Sequence, residues 1–239
     1  MAKQVVQTYY EFNKIYGAPR ITKELKEQGI PCSHNHVADL LREYGLRAKN
    51  GKGFKYNKSN PGLYNISENL LRRNFKALKP NEKWVTDLTY IYVNGKWIYL
   101  SVVVDLFSRA VVGWAIDKSM TEKLICDAFD MAAQRRDMEP DLIVHSDQGV
   151  QYRSHMYQEK LIDYGCRISM SRRANCWDNA VVESFFSRLK VELIFGQKFT
   201  TMDEAKASIF EYIEIFYNRK RRHSAIGYIA PMKFEELNS

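Results

Sequence analysis

Asn94-Gly95 stands between two apolar runs, 84–93 and 97–105, rich in Val, Ile, Tyr and Trp. Both residues of that dipeptide tolerate the positive φ of a tight primed turn, so the two runs must pair as an antiparallel hairpin. A third strand follows at 109–116. Beyond it the apolar spacing alternates: helix 121–135, strand 142–146, helix 154–164, strand 167–170, then helices 179–195 and 201–218. A hairpin and a third strand followed by alternating helices and strands predict an α/β fold with a mixed sheet flanked by helices.

The first 46 residues read differently. Tyr9, Phe12 and Tyr16 make one apolar stripe, Ile21 and Leu25 a second, and Val37, Leu40 and Leu41 a third. Ser33 is placed to cap the last helix and Gly45 to stop it, with a turn near Gly29-Ile30-Pro31. Three short helices so joined predict a small helix-turn-helix-like domain. The organisation expected is a helical domain over 1–46, a basic linker over 47–82 with a short helix at 68–75, a core over 83–218 and a basic C-terminal tail over 219–239.

Charge is concentrated in the linker. From Arg47 to Lys83 there are ten bases against two acids, a balance of +8 that equals the net charge of the whole chain. Phe54, Tyr56, Tyr64 and Phe75 are interleaved with those bases, the composition of a segment that tracks a nucleic-acid backbone. A content of 45% apolar residues is enough for a sizeable core. No run is long enough to span a membrane and the N-terminus has no signal-peptide core, so a cytoplasmic protein is expected. The cysteines show no Cys-x-x-Cys or disulfide spacing. Cys32, His34 and His36 are close in sequence, but residues two apart on a helix point away from each other, which argues against zinc.

Asp87 lies inside the run Trp84-Val85-Thr86-Asp87-Leu88-Thr89-Tyr90. A carboxylate in mid-strand without partner or metal costs several kcal/mol or takes up a proton. Asp147 ends a second run, where the strand gives way to Gln148-Gly149, and Glu183 follows after 35 intervening residues on a stretch whose Val182, Phe185, Phe186 and Leu189 recur at helical spacing. Lys190, seven residues on, shares the helical face of Glu183. Asp105, at a strand end before Phe107-Ser108-Arg109, reads as a structural corner.

This acidic triad resembles the catalytic signature of the retroviral-integrase and insertion-sequence transposase superfamily. The words around it, Asp105-Leu106-Phe107-Ser108-Arg109, His145-Ser146-Asp147-Gln148-Gly149, Cys176-Trp177-Asp178-Asn179-Ala180, and Tyr217-Asn218 through Arg221, His223 and Pro231, resemble the second-frame (orfB) transposases of bacterial insertion sequences. The resemblance runs from Tyr16-Gly17 to Phe234. It implies a ribonuclease-H-like core and cleavage and strand transfer at element ends. It also implies a multimer on DNA and a partner or fusion product from the upstream (orfA) frame.

Three clustered acids with no His or Cys set are the ligands of hard cations. Two divalent ions, Mg²⁺ or Mn²⁺, would activate the nucleophile and stabilise the leaving oxygen of a phosphodiester. Asp87, Asp147 and Glu183 are therefore the candidate catalytic and metal-binding residues, with Asp87 as the bridging ligand. Lys190, Asn179, Arg72, Arg73, Lys76, Arg219, Arg221, Arg222 and His223 are the candidate DNA contacts. Two rivals stand beside this reading, a ribonuclease-H-like nuclease that cuts without joining and a non-catalytic DNA-binding regulator.

Overall fold

The computed structural model describes residues 1–49, 66–172 and 176–239. Phe54, Tyr56 and Tyr64 of the linker lie outside them. Three helices open the chain, α1 (Ala2–Glu11), α2 (Ala18–Glu27) and α3 (His34–Glu43). Their apolar stripes meet in a separate small core of Val5, Tyr9, Tyr16, Ile21, Leu25, Val37 and Leu41. Ser33 caps α3 as its position suggested, accepting the His36 N–H at 3.2 Å.

The central sheet has five strands, β1 (Lys83–Val93), β2 (Lys96–Asp105), β3 (Val111–Asp117), β4 (Ile143–Ser146) and β5 (Arg167–Met170), in the order β3-β2-β1-β4-β5. β1, β2 and β3 are antiparallel neighbours, while β4 and β5 join β1 in parallel, so the sheet is mixed. Asn94 and Gly95 have φ of 42° and 83°, the primed turn expected of them.

Strand alternation sends the two faces to different helices. Val85, Ile91, Val102 and Val104 pack with Val182, Phe185, Phe186 and Leu189 of α6 (Ala180–Glu192). Trp84, Val103 and Val112 pack with Ile125, Phe129 and Ala132 of α4 (Glu122–Arg135) and Tyr157 of α5 (His155–Asp163). A Cβ on Gly113 would lie 2.2 Å from the Ala128 carbonyl oxygen, so glycine lets β3 approach α4 backbone to backbone.

Three expectations change. Residues 68–75 form turns rather than a helix, with Arg72 and Arg73 at φ of 45° and 63°. The helix expected at 201–218 is α7 (Met202–Phe210) followed by π-helical turns over Glu211–Tyr217. Residues 219–239 do not trail away as a tail. They form a bridge between His223 and Ile229 and a last helix, α8 (Pro231–Asn238), tied to α4 by the ion pair of Arg136 with Glu235.

The small helical domain docks on this returning segment. Tyr16 Oη accepts the Arg222 N–H at 3.0 Å, and Arg222 reaches Glu24 at 2.8 Å and Glu27 at 2.6 and 2.7 Å. Among the described residues no helix is long and apolar enough to cross a membrane.

Candidate active site

Each of the three acids arrives on a different element. Asp87 is in the middle of β1, Asp147 is one residue past β4, and Glu183 is in the first turn of α6. The parallel pairing of Val85 with His145 puts the end of β4 beside β1, and Asp147, just past it, lies close enough for its charge to act on Asp87. On the same face as Asp87, Val85 and Ile91 hold α6, and Asn179 Nδ2 donates to the Thr86 carbonyl at 3.4 Å. Those contacts bring the first turn of α6 to the acids.

All three acids are partly accessible to solvent, yet each is pushed upward from the ordinary carboxylate range. For Asp87 the largest cause is burial, then the charge of Asp147; the Leu88 N–H at 2.8 Å opposes, and Glu183 adds to the rise. Burial raises Asp147, against the Gly149 N–H at 2.8 Å and the charge of Arg153. Burial and then Asp147 raise Glu183. The site is thus a cluster of partly buried, mutually repelling carboxylates, a repulsion that a bound cation would relieve.

No group of three or more His, Cys, Asp or Glu side chains among the described residues is gathered closely enough to enclose a metal ion by itself. The donor chemistry still fits Mg²⁺ or Mn²⁺, which take one or two carboxylates and leave other positions to water and substrate phosphate oxygens. Lys190 is in the same field: burial lowers its pKa and Asp87 opposes. Its ammonium also lies 4.8 Å from the centre of the Tyr90 ring.

Residues 77–176 and 164–231 each match a family model described as an integrase core domain, and residues 1–53 match an HTH-like domain. Transposase InsF for insertion sequence IS3A of Escherichia coli (strain K12) is 46% identical over 234 residues, covering 98% of this chain and 81% of that protein. The chain belongs to the insertion-sequence transposase family. The transposase of IS904 from Lactococcus lactis subsp. lactis (strain IL1403) is 42% identical over 240 residues, 100% of this chain and 94% of that protein. Two solved structures share the fold. A chain of the simian T-cell lymphotropic virus intasome in complex with PP2A regulatory subunit B56 gamma has a TM-score of 0.57 at 14% identity, over 97% of this chain and 74% of that one. The HTLV-2 integrase catalytic core domain in complex with magnesium (trimeric form) has a TM-score of 0.52 at 20% identity, over 67% and 99%.

In this member of the family the residues expected to touch DNA separate into two groups. Arg72, Lys76 and Arg219 are exposed, Arg72 pairing with Glu68. Arg73 pairs with Asp178 at 2.8 Å. Arg221, Arg222 and Asn179 are buried, the two arginines in ion pairs with Glu192 and with Glu24 and Glu27. His223 is kept neutral, its pKa lowered to about 4 by burial and then by Arg221, Arg109 and Arg20. These residues do not form the solvated basic strip that the run Arg219-Lys220-Arg221-Arg222-His223 suggests, because glutamates of α2 and α6 turn two of its arginines inward.

Asp178 does not cap α6; the cap position is Asn179, without a side-chain cap bond. Instead Asp178 accepts from Arg172, Arg73 and Asn69 at 2.8 to 3.0 Å, which ties the linker to the loop before α6. Arg172 first, with Arg73, holds its carboxyl well below the usual range. Asp105 accepts the Asn81 and Phe107 N–H groups, both at 2.8 Å, and burial pushes it to about 6, as befits a structural corner. Tyr152, whose hydroxyl lies 3.3 Å from Thr86 Oγ1, and buried Arg153 also line the acids' surroundings. Sequence reasoning missed both, and their only signal was proximity to the Asp147 loop. A cavity of about 1160 Å³ lies away from the acids, lined by residues of α1, α2, the end of α6 and the segment 208–237.

Proposed function

We propose that the chain cuts and joins DNA strands at the ends of an insertion sequence, with Asp87, Asp147 and Glu183 as its catalytic carboxylates. The observation that carries this is the convergence of those acids, from β1, the loop after β4 and α6, close enough that the charge of Asp147 acts on Asp87 and Glu183 and that of Glu183 on Asp87. Two Mg²⁺ or Mn²⁺ ions, when bound there, would supply charge stabilisation for both the attacking and the leaving oxygen of a phosphodiester. Asp87 would be the ligand shared by both ions, with Asp147 and Glu183, whose charges it feels, completing the set.

The chain's own groups do the orienting. The Leu88 and Gly149 N–H groups hold one oxygen each of Asp87 and Asp147, which leaves each a second oxygen for a cation. Lys190 contributes a fixed positive charge beside the acids, suited to a DNA phosphate. Exposed Arg72, Lys76 and Arg219 are placed on the outer surface for backbone contacts further along the duplex. A multimer on DNA, and a product of the upstream frame that supplies end recognition, complete this reading.

The test is a strand-transfer assay with pre-cleaved element ends and Mn²⁺, comparing wild type with Glu183→Gln. Joined products from wild type alone are expected. Cut but unjoined products would identify a nuclease, and DNA binding without either product, even with the upstream-frame protein added, would identify a binding protein.

A further inference from the structure

The β1–β2 hairpin extends beyond the helices that cover the rest of its face. Trp84 and Leu88 on that face belong to the core under α4 and α5, but Tyr90, Tyr92 and Trp97, further toward the turn, are 44%, 56% and 50% exposed. Cross-strand register places Tyr92 opposite Trp97 and Tyr90 opposite Tyr99. Trp97 meets both Tyr90 and Tyr92 edge-on at centroid separations of 5.0 Å. The rings brace one another in a fixed array, so a ligand binding there orders little that is not already ordered.

We propose that this aromatic face is a stacking platform for unpaired nucleotides of a DNA end whose scissile phosphate lies in the active site. The proposal rests on the DNA-processing reading above. Continuity with the site is the first argument. Lys190, on the catalytic helix and in the field of Asp87, places its ammonium 4.8 Å from the Tyr90 ring centre, so it links the acids to the rings. Tyr90 and Tyr92 lie three and five residues along β1 from Asp87, roughly 10 to 17 Å, and on the opposite face of the strand; β4 pairs with β1 only at Lys83–Val85, so beyond Val85 a DNA strand end can pass round that edge from the acids to the rings.

Charge is the second argument. Between Asp87 and Asp105 the chain has no acid and one base, Lys96, at the turn. A polyanion therefore meets no carboxylate on the hairpin, whereas a second copy of the same face would bring Lys96 and Lys190 against their like. Unpaired bases rather than duplex are the fit because a base inside a helix has both π-faces taken by its neighbours, while a splayed base offers one to a ring.

The experiment uses the full chain in an Asp87→Asn background, so that binding is read without cleavage. Two DNA ends of the same sequence are compared, one fully paired and one with its last nucleotides unpaired and carrying 2-aminopurine. The unpaired end is expected to bind about tenfold more tightly and its 2-aminopurine to be quenched. Trp97→Ala with Tyr92→Ala should erase that preference while leaving the paired end's affinity unchanged, and Trp97→Phe should keep most of it. Equal affinity for the two ends, or a preference that survives the double substitution, overturns the proposal. So does a double variant that keeps the preference but no longer self-associates in sedimentation, which would identify the face as a contact between copies. Glu183-dependent joining in the strand-transfer assay reports separately on the catalytic reading.

Discussion

Arg221 holds Glu192 with two arms, Nε 2.7 Å from one carboxylate oxygen and Nη2 2.6 Å from the other, both side chains 3% exposed. Tyr212 Oη donates a third bond to Glu192 at 2.7 Å, from the π-helical turns. Glu192 is the last residue of the helix that carries Glu183 and Lys190, and its carbonyl also accepts from Lys49 Nζ at 3.2 Å. Removing one partner strands the other charge in the interior. Arg221→Met should lose about 3 to 5 kcal/mol in urea unfolding, and adding Glu192→Leu should recover much of it. A double variant as unstable as the single one would show that the ion pair is not what matters there.

The clustered acids carry a cost in stability. Folded Asp87 has a raised pKa, so its charged form is penalised at neutral pH, and the penalty vanishes below about pH 4, where the unfolded carboxyl is also protonated. Asp87→Asn in metal-free protein should therefore raise stability by about 1 to 2 kcal/mol at pH 7 and by progressively less toward pH 4. The same variant should lose strand transfer and most of the thermal stabilisation that Mn²⁺ gives wild type. An unchanged or lower melting temperature at pH 7 would contradict the repulsion.

His223 predicts the opposite pH trend. Its folded pKa is lowered to about 4, first by burial and then by Arg221, Arg109 and Arg20, and its Nδ1 accepts the Ala225 N–H at 3.3 Å. Its contribution is present above the unfolded value near 6.5 and is lost as pH falls toward 4. Wild type should lose about 2 kcal/mol more than His223→Gln between pH 6.5 and 4, after discount for partial exposure. Parallel pH profiles of the two proteins would refute it.

Gly113 tests the packing of β3 on α4. Its added Cβ would meet the Ala128 carbonyl oxygen at 2.2 Å and the Ala132 nitrogen at 2.7 Å, backbone atoms that cannot rotate away. Gly113→Ala should cost about 3 kcal/mol or more, read as a lowered urea midpoint, whereas Gly165→Ala, with nothing within 4 Å but a φ of 71°, should cost only about 1 kcal/mol.

Local chemistry made much of this chain legible. Asn94-Gly95 specified its turn because only a few residue types accept two successive positive φ values, and Ser33 specified a helix start because its hydroxyl satisfies an orphan N–H. The order of apolar runs foretold a mixed sheet flanked by helices, and the structure divides Val102 and Val104 from Val103 between its two core faces. Asp87 stood out as a candidate because a carboxylate in an apolar strand needs a reason to be there.

What the sequence by itself determined were the elements, their order and the three acids, since these depend on residues near in the chain and on what an unpaired charge costs. The tertiary structure alone decided the fates of the basic residues. Arg221 and Arg222 read as candidate DNA contacts in a basic run, while the structure pairs them with Glu192, Glu24 and Glu27, up to 198 positions away in the chain. It also decided that Asp178 binds Arg172 and Arg73, and that the hairpin's aromatic face is left uncovered. A charge pair or an exposed ring is a relation between distant segments, and no local pattern records which segments will meet.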